Sequence, residues 1–172
     1  MAFNKVFIKT RFLNYLIFSG ILFANIINPN KSIPLTQENI DIPKVFSYRS
    51  ASCGCCKKWI NHLKDNGLEV VDNIVENISV IKNQYLIPNN LRSCHSAQIA
   101  NYINEGHVPI ESINKLFREK PNINGIALPG MPLGSPGMEM HAHDSHSHDY
   151  ENYKVVSFNK TGKTKLFDKI SP

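Results

Sequence analysis

Three cysteines crowd one short stretch, Cys53, Cys55 and Cys56, and a fourth, Cys94, stands far downstream with His95 behind it. The spacing excludes some chemistry. Zinc ribbons and fingers repeat a C-x2-C pair, and the sequence has no second pair. A C-x-x-C redox spacing does run from Cys53 to Cys56, but the third thiol inside it complicates a clean dithiol cycle. Several thiols on one loop suit a soft ion, and Cu(I) prefers thiolates. The plainer reading is two structural disulfides, such as Cys53–Cys56 with Cys55–Cys94. A staple across so short a loop gains little. The metal reading requires Cys94 to fold back beside the triple-cysteine turn.

Two further segments carry metal-binding groups. Met131 and Met138 lie in a Gly/Pro-rich loop, Pro129 to Met140, that has no helical periodicity. Loop thioethers either ligate Cu(I) or fill gaps against a sheet. His141, His143, His146 and His148 follow, with Asp144, Asp149, Glu139 and Glu151 nearby and no Lys or Arg among them. This tract attracts metal, and its imidazoles and carboxylates suit Cu(II), Zn(II) or Ni(II) rather than Cu(I). A solvated linker is the alternative. His95 is a ligand candidate because it adjoins Cys94. His62 reads as a helix-surface residue and His107 as a turn residue with a structural hydrogen bond.

These groups need a scaffold. Val45 to Tyr48 reads as a strand, followed by a turn from Ser50 to Gly54. Cys55 to Asn66 reads as a helix that buries Cys56, Trp59, Ile60 and Leu63 and stops at Gly67. Leu68 to Val71 is the next expected strand, Ile74 to Tyr85 a second helix, and Ala97 to Ile103 a strand. A third helix opens at Pro109 and ends before Pro121. Ile126 to Leu128 is short and apolar. Tyr153 to Phe158 and Lys163 to Phe167 form a hairpin across Asn159 to Gly162. The expected fold class is α/β, a small mixed sheet flanked by helices with a C-terminal hairpin. Cysteines at a helix N-terminus, with Lys57 and Lys58 beside them, are expected to be thiolates more readily than free ones.

The chain has 172 residues, enough for one domain, with 19 basic and 14 acidic side chains. Lys5, Lys9 and Arg11 lie in a leading stretch without an acid; leaving them out gives 16 against 14. A broad basic surface for nucleic acid is therefore disfavoured. The leading stretch, 1–28, has a basic start and an apolar run from Phe12 to Ile27, the layout of a secretory signal. The run is about 16 residues against the roughly 20 that span a bilayer. Ala24 is the best cleavage residue, and an uncleaved anchor is the alternative, the one route to membrane contact. Residues 29–43 read as a linker and 44–170 as the folded domain, with 138–151 a Met/His-rich insertion. Export would place the thiols among oxidants.

The ordered motifs Ser52-Cys53-Gly54-Cys55-Cys56-Lys57-Lys58-Trp59, Ser93-Cys94-His95, Glu105-Gly106-His107-Val108-Pro109, Gly125 to Pro132 and Gly134 to Glu139 resemble a bacterial family of exported proteins. It is long catalogued as a domain of unknown function and includes the CopG-type proteins of copper-resistance clusters. The resemblance covers about Val45 to Phe167. It implies a thioredoxin-like fold in the periplasm and copper held by Cys53, Cys55, Cys56 and Cys94. It also implies a role in copper tolerance, with redox handling of copper and other periplasmic copper-resistance proteins as partners. Met131 and Met138 match its Pro-Gly-Met motifs, whereas the His run from His141 to His148 departs from it. Three readings follow: a copper-binding protein, a thioredoxin-like thiol–disulfide oxidoreductase, and a zinc-binding or structural module.

Overall fold

The computed structural model describes residues 41–139, 150 and 152–172. The leading segment 1–28, most of the linker and the tract from His141 to His148 lie outside these residues. Among the described residues, no helix is long and apolar enough to cross a membrane.

Strand β1 (Val45–Arg49) leads into helix α1 (Gly54–Asp65) and strand β2 (Val70–Ile74). Helix α2 (Ile78–Gln84) and a 3-10 turn (Asn89–Leu91) precede strands β3 (Ser96–Ile99) and β4 (Tyr102–Glu105). Helix α3 (Ile110–Glu119), strand β5 (Gly125–Ala127) and the hairpin β6 (Tyr153–Phe158) and β7 (Thr164–Ile170) complete the order. The strands form one mixed sheet in the order β2-β1-β3-β4-β5-β6-β7, parallel at β1–β2 and β4–β5 and antiparallel elsewhere. The α/β class, the flanking helices and the C-terminal hairpin are as expected. The sheet has seven strands, wider than the small sheet anticipated. The β1-α1-β2-α2-β3-β4-α3 portion is compatible with a thioredoxin-like fold.

Alternation along the strands sorts residues between two faces. Ala97 and Ile99 of β3 pack with Trp59, Ile60 and Leu63 of α1 and Ile113 and Leu116 of α3 in the main core. Ser96 and Gln98 point the other way, toward Lys82 and Tyr85 at α2. A second cluster, Ile87, Leu91, Ile103, Ala127 and Phe158, seals that face.

Three expected boundaries shift, each for a local reason. Strand β2 starts at Val70 because the Leu68 amide is spent on the Leu63 carbonyl (3.1 Å) behind Gly67, whose φ of 85° ends α1. Helix α2 starts at Ile78 because Asn77 caps it, its Oδ1 accepting from Ser79 N–H at 3.0 Å. The stretch expected as one strand, Ala97 to Ile103, is two antiparallel strands folded at Ala100-Asn101, where Ala100 takes a φ of 50°. A non-glycine residue there gives no signal in the sequence.

Candidate metal and thiol site

The sheet topology brings the motifs together. Strands β1 and β3 run antiparallel with Tyr48 opposite Ser96, so the exit of β1 lies beside the entry of β3. Strand β4 returns with Glu105 opposite Ser96, and β5 runs parallel to β4. The turn before α1, the Ser93-Cys94-His95 segment, His107 and the loop after β5 therefore meet at one end of the sheet.

Arg49 fixes the approach to α1. Its Nε and Nη2 donate to the two Asp72 carboxylate oxygens at 2.9 and 2.7 Å, and its Nη1 donates to the Ser50 carbonyl at 3.1 Å. Cys53 is the N-cap of α1 and no side chain caps that end. Cys53 and Cys56 are joined as a disulfide with Cα atoms 5.3 Å apart, within the range such a bridge requires. Cys55 and Cys94 are free, so the pairing of Cys55 with Cys94 is absent. Cys55 Sγ lies 3.6 Å from Cys53 Sγ.

Cys94 does fold back. The ligand atoms of Cys53, Cys55, Cys56 and Cys94 all lie within 4.8 Å of one another, and so do those of Cys56, Cys94, His95 and His107. Cys94 Sγ is 3.0 Å from His107 Nε2 and 3.4 Å from His95 Nδ1. Burial, reinforced by the neighbouring Cys55, pushes the Cys94 thiol up to about 11. Cys94 sits at a strand entry, away from the helix N-terminus to which the expectation of activated thiols applies, and desolvation dominates there.

His95, a ligand candidate from sequence, and His107, expected as a turn residue, both lie at the Cys94 sulfur. Both rings are fully buried; His95 lies against Trp59 at 4.4 Å between centroids and edge-on to His107 at 4.9 Å. His107 Nδ1 donates to the Pro136 carbonyl at 2.7 Å, which leaves Nε2 as the lone-pair nitrogen facing Cys94. Burial pushes His107 below its ordinary value and His95 well below it. Charge on His107, Lys82 and Arg49 pushes His95 the same way. Neutral imidazole is the ligating form. His95 Nε2 is buried with no hydrogen-bond partner among the described residues. The free sulfurs of Cys55 and Cys94, the His107 lone pair aimed by a backbone carbonyl and the His95 ring form a group that could hold a metal ion, joined by Cys53 and Cys56 when their bridge is reduced.

The methionine loop closes over this end. Ser93 Oγ donates to the Gly130 carbonyl at 2.8 Å, beside Met131, which is exposed. Gly137, next to half-buried Met138, has a φ of 84°, and a Cβ on it would stand 2.7 Å from the Cys55 carbonyl oxygen. The loop thus lies on the first turn of α1, and each methionine follows a residue touching a cysteine-bearing segment. His62 lines a separate cavity of about 440 Å³ with Glu111, Glu139 and Tyr153.

The model of the family described as "Protein of unknown function, DUF411" matches residues 91–138, from the end of the 3-10 turn through Met138. A solved structure of the copper resistance protein CopG, form 2, is 38% identical with a TM-score of 0.66, covering 74% of this chain and 98% of its own. Form 1 is 37% identical with a TM-score of 0.67, covering 77% and 100%. No curated protein matches the sequence significantly. With its cysteine and histidine motifs gathered at one sheet end, the chain belongs to this family of unknown function, DUF411, which includes the CopG-type proteins.

Proposed function

We propose that the protein binds copper as its cargo in copper resistance, taking Cu(I) at Cys53, Cys55, Cys56 and Cys94. The convergence of four cysteine sulfurs within 4.8 Å carries this reading. His107 Nε2 and His95 Nδ1, which face the Cys94 sulfur at 3.0 and 3.4 Å, extend the donor set. Because Cys53 and Cys56 are bridged, reduction is needed to release all four thiolates. The likeness to CopG supports copper over zinc. Met131 and Met138 serve as entry ligands from the covering loop, and His141, His143, His146 and His148 collect Cu(II) or Zn(II). The leading segment exports the chain to the periplasm, a compartment that suits the Cys53–Cys56 disulfide.

The test is an anaerobic Cu(I) titration of the reduced protein against a competing chelator. Tight binding is expected, and Cys94→Ser is expected to weaken it; unchanged affinity in Cys94→Ser would dismantle the four-thiol site. Deleting 141–148 is expected to cut Cu(II) or Zn(II) uptake and spare Cu(I).

One observation favours a second reading. A disulfide at the start of α1, with the Cys55 sulfur 3.6 Å from Cys53, is also the arrangement of a thiol–disulfide oxidoreductase. Robust insulin reduction by the copper-free protein would promote it.

A further inference from the structure

Lys82 of α2 and Glu105 of β4 form an ion pair that is 3% and 0% exposed. Stability alone does not explain such a pair, since apolar residues of similar volume commonly serve a fold as well or better. Its placement does. Glu105 Oε1 accepts from Ser93 N–H at 2.6 Å and from Lys82 Nζ; Glu105 Oε2 accepts from the Ser96 hydroxyl. Lys82 Nζ also donates to Ser96 Oγ at 3.0 Å. One carboxylate therefore grips both sides of Cys94-His95. Ser96 is its cross-strand partner in the β3–β4 ladder, but Ser93 precedes β3 and lies outside it. The carboxylate gives the Ser93 amide the acceptor that the ladder does not. Ser93 Oγ in turn holds the Gly130 carbonyl of the methionine loop.

We propose that Glu105, oriented by Lys82, is a positioning residue that clamps the Ser93–Ser96 segment and so holds the Cys94 sulfur against His107 in the thiol cluster. It touches neither sulfur nor cargo. The Cu(I) part of the test rests on the proposed function; the placement of Cys94 does not.

The test compares two double variants in which no buried charge is left unpaired. Lys82→Met with Glu105→Leu removes the acceptor. Lys82→Met with Glu105→Gln keeps a neutral acceptor for the Ser93 amide. In metal-free protein, the alkylation rate of Cys94, read by peptide mass spectrometry, is expected to rise about tenfold in the first variant and to return to within about twofold of wild type in the second. Cu(I) affinity of the reduced protein is expected to follow the same pattern, falling about tenfold and recovering, as for groups that orient metal ligands. A folded Leu variant with wild-type Cys94 reactivity overturns the proposal, and so does a Gln variant that fails to rescue; a mere packing role would move thermal stability alone. If the Leu variant does not fold, Ser96→Ala decides, since it removes one side of the clamp and leaves the ion pair. A Cys94 rate raised about threefold supports the clamp, and an unchanged rate overturns it. Failure of the wild type to bind Cu(I) sinks the copper reading while the alkylation result still judges Glu105.

Discussion

The site has a helix-borne half and a sheet-borne half, held by different means. Cys53, Cys55 and Cys56 sit on one turn whose shape follows from the start of α1 and the grip of Arg49 on the preceding turn. Cys94 and His95 lie just before β3 and His107 just after β4, and they are fixed by buried tertiary contacts, chiefly Glu105, Lys82 and the Pro136 carbonyl. The first half is local and partly open to solvent; the second is assembled over distance in a low-dielectric setting. Local structure thus suffices to cluster thiols, while setting one more thiol and two imidazoles among them requires a buried polar network.

Substitutions can separate the halves. The largest effect is expected from Lys82→Met alone, which strands the Glu105 carboxylate in the interior. A loss of about 3–5 kcal/mol is expected in urea denaturation, with Cys94 more reactive and the Cys53–Cys56 disulfide intact. Gly137→Ala strikes the helix-borne half. It places a side chain at a positive φ against the Cys55 carbonyl, with an expected cost of about 1–3 kcal/mol. The neighbouring Pro136 carbonyl holds His107, so Cys94 is expected to shift a little, but a larger rise in Cys55 alkylation is the expected pattern; equal change at both would show that the halves are not separable. Asn77→Ala removes the cap of α2, away from both halves, and should cost about 1 kcal/mol with neither thiol altered.

A further effect is on pH dependence in the metal-free protein. The folded state holds the Cys94 proton up to about 11, against 9.0 for an ordinary thiol. Folded protein binds that proton more tightly than the unfolded chain. Its contribution to stability is therefore complete below pH 9 and lost as pH rises through about 11. The Cys94 alkylation rate should still be climbing above pH 9, where the rate in the denatured chain levels off.

The helix-borne half was legible in the sequence because its information is local. The apolar spacing of Cys56, Trp59, Ile60 and Leu63 picks out the face that is buried, and Gly67 marks the stop. Motif order also pointed to Cys94 as a member of the cluster. The Lys82–Glu105 pair was not legible. Lys82 is the sole buried residue of α2, so no periodicity announces it, and its partner lies on another element. The placement of His107 against Cys94 was hidden for a related reason. An imidazole reads alike in a turn and in a buried cluster until the strands that carry it are paired. The disulfide between Cys53 and Cys56 was one of several pairings the sequence left open.

The two-residue turn at Ala100-Asn101 has a further consequence for this site. Side chains alternate along a strand, so one inserted residue that slips the β3–β4 register would turn Glu105 to the wrong face of the sheet. Homologous chains should therefore keep this connection at constant length while varying freely in the Asn159–Gly162 connection, whose Asn159 carboxamide closes a self-contained loop distant from the cysteines. Anyone transplanting the centre into another scaffold must copy that spacing before copying any ligand.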